Sequence, residues 1–532
     1  MWMTMTASLL FLSATALAMA SKAAAPLQIW AAKRADATEA YQAHKYSEAE
    51  RLGREALELA GSDENELVAA SATDLGFTLC AQTKYAECAV QFEHAIAVRR
   101  KICAPEDPAL AVSYNNLAGT YFHLGRYPQA EPLFRAAMKI WDIALKGDPN
   151  SGDRQLLATL NNYGALFSAT GRYADAEGLY VRALDLASKI LPPDDPALVQ
   201  GLNGLGHVRA TLGRFDEAEG DIRKGLDIRM RAFGRNSAAA ADSLARLGHV
   251  YEMESRLREA EPLLREAFAT CGAALGEAHP QCLDTLNTLA VTLRLLGKAS
   301  EAAALFDKAN VRLEKMLGPE HPSLAMGLNN LAEVYLSEGR YKEALALLLR
   351  ARSIWERTFG PEDARVAAVA ANTAAVYSAS HKNKEAEELY RRALAIDQKV
   401  YGAVSGAVAR DLNNLGSQYH NMHRERDAEE TLERALATYD QVFGPKHAAS
   451  ALARGNLAEV YRTGKRYEQA AETYKCAIEL RDKTADADDV RWAGLLHHYA
   501  LVLRALEQYA EAEKAEVRAL GIEVRKTLRG GE

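Results

Sequence analysis

The feature that most constrains this chain is a period. Take Ala344 in the stretch "GRYKEA" as an anchor. The same environment, most often an aromatic three residues earlier with Gly and then Arg or Lys ahead of it, returns at Ala49, Cys88, Ala130, Ala176, Ala218, Ala260, Ala302, Ala386, Ala428, Ala470 and Ala512. Successive anchors are separated by 39, 42 and 46 residues and then by 42 eight times running. The extra residues of the third interval fall in the turn-rich stretch Lys146 to Asp153, which can absorb an insertion. Within a repeat, apolar residues stand 16, 13, 12 and 9 before the anchor, as in Leu328, Leu331, Ala332 and Tyr335. At roughly 100° per residue they form one stripe of a helix. A second helix carries an apolar residue four after the anchor and an Ala seven after, as in Phe134 and Ala137. "GRY" ends the first helix with Gly, and "GPEHP" ends the second at Gly318 and opens the next with Pro322 at its first position. Ser255 and His381 replace the usual Gly, so those two turns are expected to be less regular. So short a pair cannot bury its stripe alone and must stack on its neighbours. The sequence predicts an all-α solenoid, a superhelix of about twelve helical hairpins, continuous over residues 26–532.

Nothing in the composition contradicts this. The 532 residues are 48% hydrophobic and 25% charged with fifteen prolines, a globular and helical composition, and no low-complexity linker divides them. The formal charge of −7 offers no attraction to a phosphate backbone, so nucleic acid is not expected as a partner. The apolar stretch Ala7 to Ala20, followed by two A-x-A patterns, resembles a secretory signal peptide over residues 1–25, although no Lys or Arg precedes it. Its length falls short of a membrane span. Periplasmic or secreted protein is the expectation, with a cytoplasmic location as the alternative.

The recurring Leu-Gly/Ala, Tyr, Gly and aromatic, then Ala, Phe/Tyr and Ala positions resemble those of the tetratricopeptide repeat. "GPEHPSLAMGLNNLAEVY" followed by "GRYKEA" is similar to the extended repeat of kinesin light chains and nephrocystin-type proteins. The resemblance covers residues 28 to 526. It implies a helical superhelix whose first helices line a concave side, and binding of proteins or peptides there.

Positions 15 and 14 before the anchors carry Asn115, Asn116, Asn161, Asn162, Asn203, Asn287, Asn329, Asn330, Asn372, Asn413, Asn414 and Asn456. On the helical wheel they lie away from the apolar stripe. Ordinary solvent-facing helix surface is charged. In the ten repeats from Ala130 on, however, the columns 15, 14 and 7 before the anchor hold a single charged residue, Arg246. Two readings follow. An amide both donates and accepts, so these residues could hold the backbone of an extended peptide. Alternatively, neighbouring first helices crowd together and the amides bond one another across the seam. Late in the chain the same face becomes basic, with Arg410, His420, Arg462 and Arg504, which would favour an acidic ligand.

No catalytic or metal-binding motif competes with these readings. The cysteines make no C-x-x-C, and His420 with His423 and the adjacent His497 and His498 have no third ligand at suitable spacing. "GLNGLG" (Gly201 to Gly206) lies inside a first helix and reads as repeat packing. Glu131, Glu177, Glu219 and Glu261 follow successive anchors and mark a structural column, because a catalytic residue should occur once. Cys88 takes an anchor slot as a small packing residue. Cys271 ends one second helix and Cys282 begins the next repeat, so a bend there could join them as a disulfide after export; in a reducing cytoplasm both would be buried thiols. The functional expectation is a non-catalytic scaffold without cofactors that holds a protein or extended peptide. The alternative is a regulatory or substrate-recruiting subunit of an enzyme on another chain.

Overall fold

The computed structural model describes residues 25–61, 65–147, 153–277, 279–482 and 490–529. The N-terminal apolar stretch lies outside these residues, as does most of the insertion between Lys146 and Asp153. Among the described residues there are 24 helices, from Ala25–Gln42 to Tyr509–Arg529, and no strand. Consecutive helices form about twelve hairpins, which stack on their neighbours within each of two compact units. Among the described residues, no helix is long and apolar enough to cross a membrane.

The anchor is the point of closest approach inside each hairpin. All twelve anchor residues are fully buried, because only a small side chain lets the second helix lie directly on the first. Four residues on, in the repeats from Cys88 to Ala470, a large side chain fills the hollow left by a glycine or alanine of the first helix. A Cβ added to Gly248 would come within 2.6 Å of Leu264, and one added to Gly206, in "GLNGLG", within 2.8 Å of Ile222. Those glycines exist for packing and form no cofactor loop.

The turn inside each hairpin has one conformation throughout. Five repeats use Gly, as at Gly339 (φ 75°), where the Arg340 N–H reaches back to the Tyr335 carbonyl at 2.8 Å in a Schellman closure. In the other seven the same slot holds His44, Thr83, Ser255, His381, His423, Lys465 or Glu507, all with φ between 57° and 67°. The expectation of irregular turns at Ser255 and His381 is therefore corrected. Tertiary packing imposes the left-handed backbone even where the residue resists it.

Between repeats, histidine starts helices as an acceptor. His279, His321 and His447 each take the backbone N–H two residues on at Nδ1, at 3.3, 3.2 and 3.1 Å. Burial holds all three imidazoles below their ordinary pKa, in keeping with an unprotonated Nδ1. On the second helices, the glutamate following an anchor pairs with a cation of the next hairpin turn: Glu177 with Arg214 at 2.6 Å, Glu261 with Lys298 at 2.8 Å and Glu429 with Arg466 at 2.8 Å. The acidic column is structural.

The chain divides into two compact units. Unit 1 comprises Met1–Ala169 and Gly178–Leu191, and unit 2 comprises Thr170–Glu177 and Pro192–Glu532.

Candidate peptide-binding groove

Because the core stripe occupies one side of each first helix, the asparagine columns fall where successive first helices meet. Asn115, Asn116, Asn161, Asn162, Asn203, Asn329 and Asn413 are buried, whereas Asn287, Asn330, Asn372, Asn414 and Asn456 are half-buried. One bond recurs with the repeat. The amide of Asn162 donates to the Asn115 side-chain oxygen at 3.1 Å, that of Asn372 to Asn329 at 3.0 Å, and that of Asn456 to Asn413 at 2.9 Å. Each time the residue 14 before one anchor donates to the residue 15 before the preceding anchor. Glu333 strengthens one rung by accepting from Asn372 at 2.7 Å. Asn330 accepts from Asn329 but makes no donor contact, and Asn287 and Asn414 make no side-chain hydrogen bond among the described residues.

The basic residues are all engaged within the chain. His420 Nδ1 meets Glu425 at 2.8 Å, Arg462 donates through Nε to Glu459 at 2.9 Å, and Arg504 is paired with Glu516. Burial works against a charge on Glu459, but Arg462, His498 and Tyr474 outweigh it and hold that carboxyl well below the usual range. Arg410 bridges Asp397 at 3.2 Å and Asp411 at 3.3 Å, two carboxyls with almost no exposure. Burial, and after it the neighbouring Asp411, push Asp397 up to about 8; burial also raises Asp411. One guanidinium cannot neutralise two buried carboxylates, so the pair retains a proton.

Four residues eleven before their anchors, His207, His249, Glu333 and Glu459, also line this face. The rings of His207 and His249 stack at 6.3 Å, and His249 is fixed by Glu252 at 2.9 Å. Burial, then the positive neighbours His249 and Arg246, hold His207 down at about 4. Arg246, the lone charge of the amide columns, donates to Asp242 at 3.0 Å. His497 and His498 lie 3.2 and 3.1 Å from Glu523 and Glu459. Among the described residues no group of three metal-ligating side chains converges.

The periodic hairpins, the buried small anchors and the uniform turns match a known family model, the tetratricopeptide repeat, over residues 67–142, 155–231, 199–271, 237–309, 323–399 and 408–483. The chain belongs to the tetratricopeptide-repeat family. Such repeat proteins are typically protein-interaction scaffolds, generally without catalytic activity. No curated protein sequence matches it. Among solved structures it is similar to BtubC (BKLC) from P. vanneervenii, with 21% identity over 44% of this chain and 91% of that one and a TM-score of 0.35. It is also similar to a putative kinesin light chain of Podosopora anserina with nearly identical TPR-like repeats, with 25% identity over 39% and 98% and a TM-score of 0.33. The APC/C hetero-tetramer Cut9-Hcn1 aligns over 96% of this chain and 90% of that one at 14% identity and a TM-score of 0.44.

Two disulfides join buried cysteines of this tetratricopeptide chain, Cys271 with Cys282 and Cys80 with Cys88. The second pairing changes the reading of Cys88, which both fills the anchor slot and ties the end of its hairpin's first helix to the second. Sequence reasoning missed it. The only available signal was that this repeat alone has cysteine both at the anchor and eight residues before it.

Proposed function

We propose that this tetratricopeptide protein is a non-catalytic scaffold that holds an extended protein segment along the first-helix face, chiefly through backbone contacts to amides left over from the seam bonds. The observation that carries this reading is the state of Asn287, Asn330 and Asn414. They are half-buried in columns that hold a single charged residue, with donor capacity that no neighbour uses among the described residues. A primary amide in that position suits a peptide N–H and C=O together. An acidic preference is not part of the proposal, because Arg410, His420, Arg462 and Arg504 already hold carboxylates.

The test separates ligand amides from seam amides. Alanine at Asn287, Asn330 and Asn414 together should leave the denaturant midpoint equal or higher, since Ala is the better helix former by roughly 0.5 kcal/mol per site, while capture of the native partner in affinity purification falls. Undiminished capture by a folded triple variant would remove the reading.

The same proposal places the protein in an exported compartment, with residues 1–25 removed and both cysteine pairs oxidised. N-terminal sequencing of native material should begin near Ser21 or Pro26, and non-reducing peptide maps should show Cys80–Cys88 and Cys271–Cys282. Intact Met1 together with free thiols at all four positions would place it in the cytoplasm.

A further inference from the structure

In a solenoid, each repeat ordinarily touches only its neighbours. Unit 2 breaks that rule at one place. The ring of Tyr173 stacks on that of Phe443, 270 residues away, with centroids 5.5 Å apart and planes 26° apart. Phe443 stacks in turn on His447 at 4.9 Å. Beside this pair, the turn glycine Gly171 packs so closely on the late repeats that an added Cβ would lie 3.5 Å from Val442 and 3.7 Å from the Ser405 Cα. The next early turn joins the contact as well. The His447 ring lies within 4 Å of the Cβ position of Gly213. Nδ1 of His447 accepts from Ala449 at 3.1 Å, so Nε2, on the side that faces Gly213, carries the proton.

Phe233 occupies in its own repeat the place Phe443 has in another and is 56% exposed. Phe443 is only partly exposed, covered by His447 and Gly406 as well as by Tyr173, and burial raises the Tyr173 phenol above its ordinary value. Part of that covering comes from the distant repeat.

We infer that unit 2 carries a clasp, in which the hairpin turns at Gly171–Tyr173 and Thr211–Gly213 grip the repeat junctions at Ser405–Gly406 and Val442–His447, and that unit 2 opens by releasing it. The grip is one ring stack and the contacts of two turn glycines, set against continuous helix packing along the rest of the stack. It is therefore the weakest link through which unit 2 can change its curvature. Because the clasp joins early to late repeats, its state sets how far the first-helix face between them can spread around a bound segment. That consequence rests on the proposed function, whereas the clasp itself does not.

Hydrogen exchange on the full-length, ligand-free protein tests it. Phe443→Ala removes the stack. His447→Asn keeps an acceptor for the Ala449 N–H, Asn being a favoured N-cap, but has no ring to lie against Gly213. Both variants should raise amide exchange at residues 209–214 by about tenfold, the size expected for the loss of one aromatic contact, and the radius of gyration from small-angle scattering should increase. Phe233→Ala, at the exposed equivalent, should do neither. A purely local role for Phe443 and His447 confines the change to residues 438–452. Folded variants with wild-type exchange at 209–214 and an unchanged radius would overturn the clasp, whatever the outcome for the ligand.

Discussion

Two seams of the solenoid use the same pair of positions and respond to their surroundings in opposite ways. Where the Ala218 repeat meets the Ala260 repeat, Arg229 lies against Ser243, donating at 3.1 Å, and with Arg246 it flanks Asp242. Burial opposes the Asp242 charge, but Arg246 and Arg229 outweigh it and hold that carboxyl down at about 2. Where the Ala386 repeat meets the Ala428 repeat, the same two positions hold Asp397 and Asp411, with Arg410 alone between them. One seam has two cations for one acid and the other one cation for two. The repeat backbone thus decides which residues meet, while their charge balance decides whether the seam tolerates alkaline conditions.

The largest expected effect follows from the acid-rich seam. Asp397 has its folded-state pKa raised to about 8 from an ordinary value of 3.8. Its contribution is therefore fully favourable below the unfolded value, declines as pH rises towards 8, and is lost above that. Asp397→Asn mimics the protonated carboxyl and should stabilise the protein by about 3 kcal/mol at pH 8 and by little at pH 4. Denaturant melts at the two pH values check this; a gain equal at both would dissolve the contrast between the seams.

A smaller loss is expected from removing the lone cation. Arg410→Met leaves Asp411 buried without a counter-charge and should cost about 2 kcal/mol at neutral pH, less than a fully buried pair because the Arg410 side chain is half exposed. The cost should shrink on acidification. Arg246→Met, at the seam where Arg229 remains, should cost less, and equal losses in matched thermal melts would count against the charge-balance account.

The amide rungs offer a neutral reference. Asn372→Ala removes bonds to Asn329 and Glu333 and should cost about 1 kcal/mol, with no slope between pH 5 and 9. An unchanged melt would show that the rung adds nothing to stability.

The smallest effect concerns the turns. Thr83 holds φ 60°, a conformation unfavourable for a β-branched residue. Thr83→Gly should raise stability by ~0.5 kcal/mol, the relief of left-handed strain being partly offset by glycine entropy. The same change at Gly339, to Thr, should lower it.

Much of the architecture was legible because it repeats. Twelve copies of one spacing average out local accidents, so hairpins, anchors, the acidic column and the helix starts at His279, His321 and His447 could be placed from residue types alone. The candidate groove was legible only as a set of columns. Columns say which residues share a helix face, but whether Asn372 meets a ligand or Asn329 depends on a distance between helices 43 residues apart.

What this sequence determined by itself is therefore everything governed by the 3.6-residue helical turn and the 42-residue period: helix, turn, stripe and stacking order. Contacts that require two repeats to be measured against each other were decided by tertiary structure alone. The turn at Ser255 takes the same left-handed form as the glycine turns because the helices on either side leave it no other. Arg410 and Arg462 lose their free charge to acids that the sequence placed nearby but could not orient. Tyr173 finds Phe443 only because small rotations at each interface accumulate until distant repeats meet. Each repeat's sequence encodes its own step, but the place where the accumulated steps bring two surfaces together is a property of their sum.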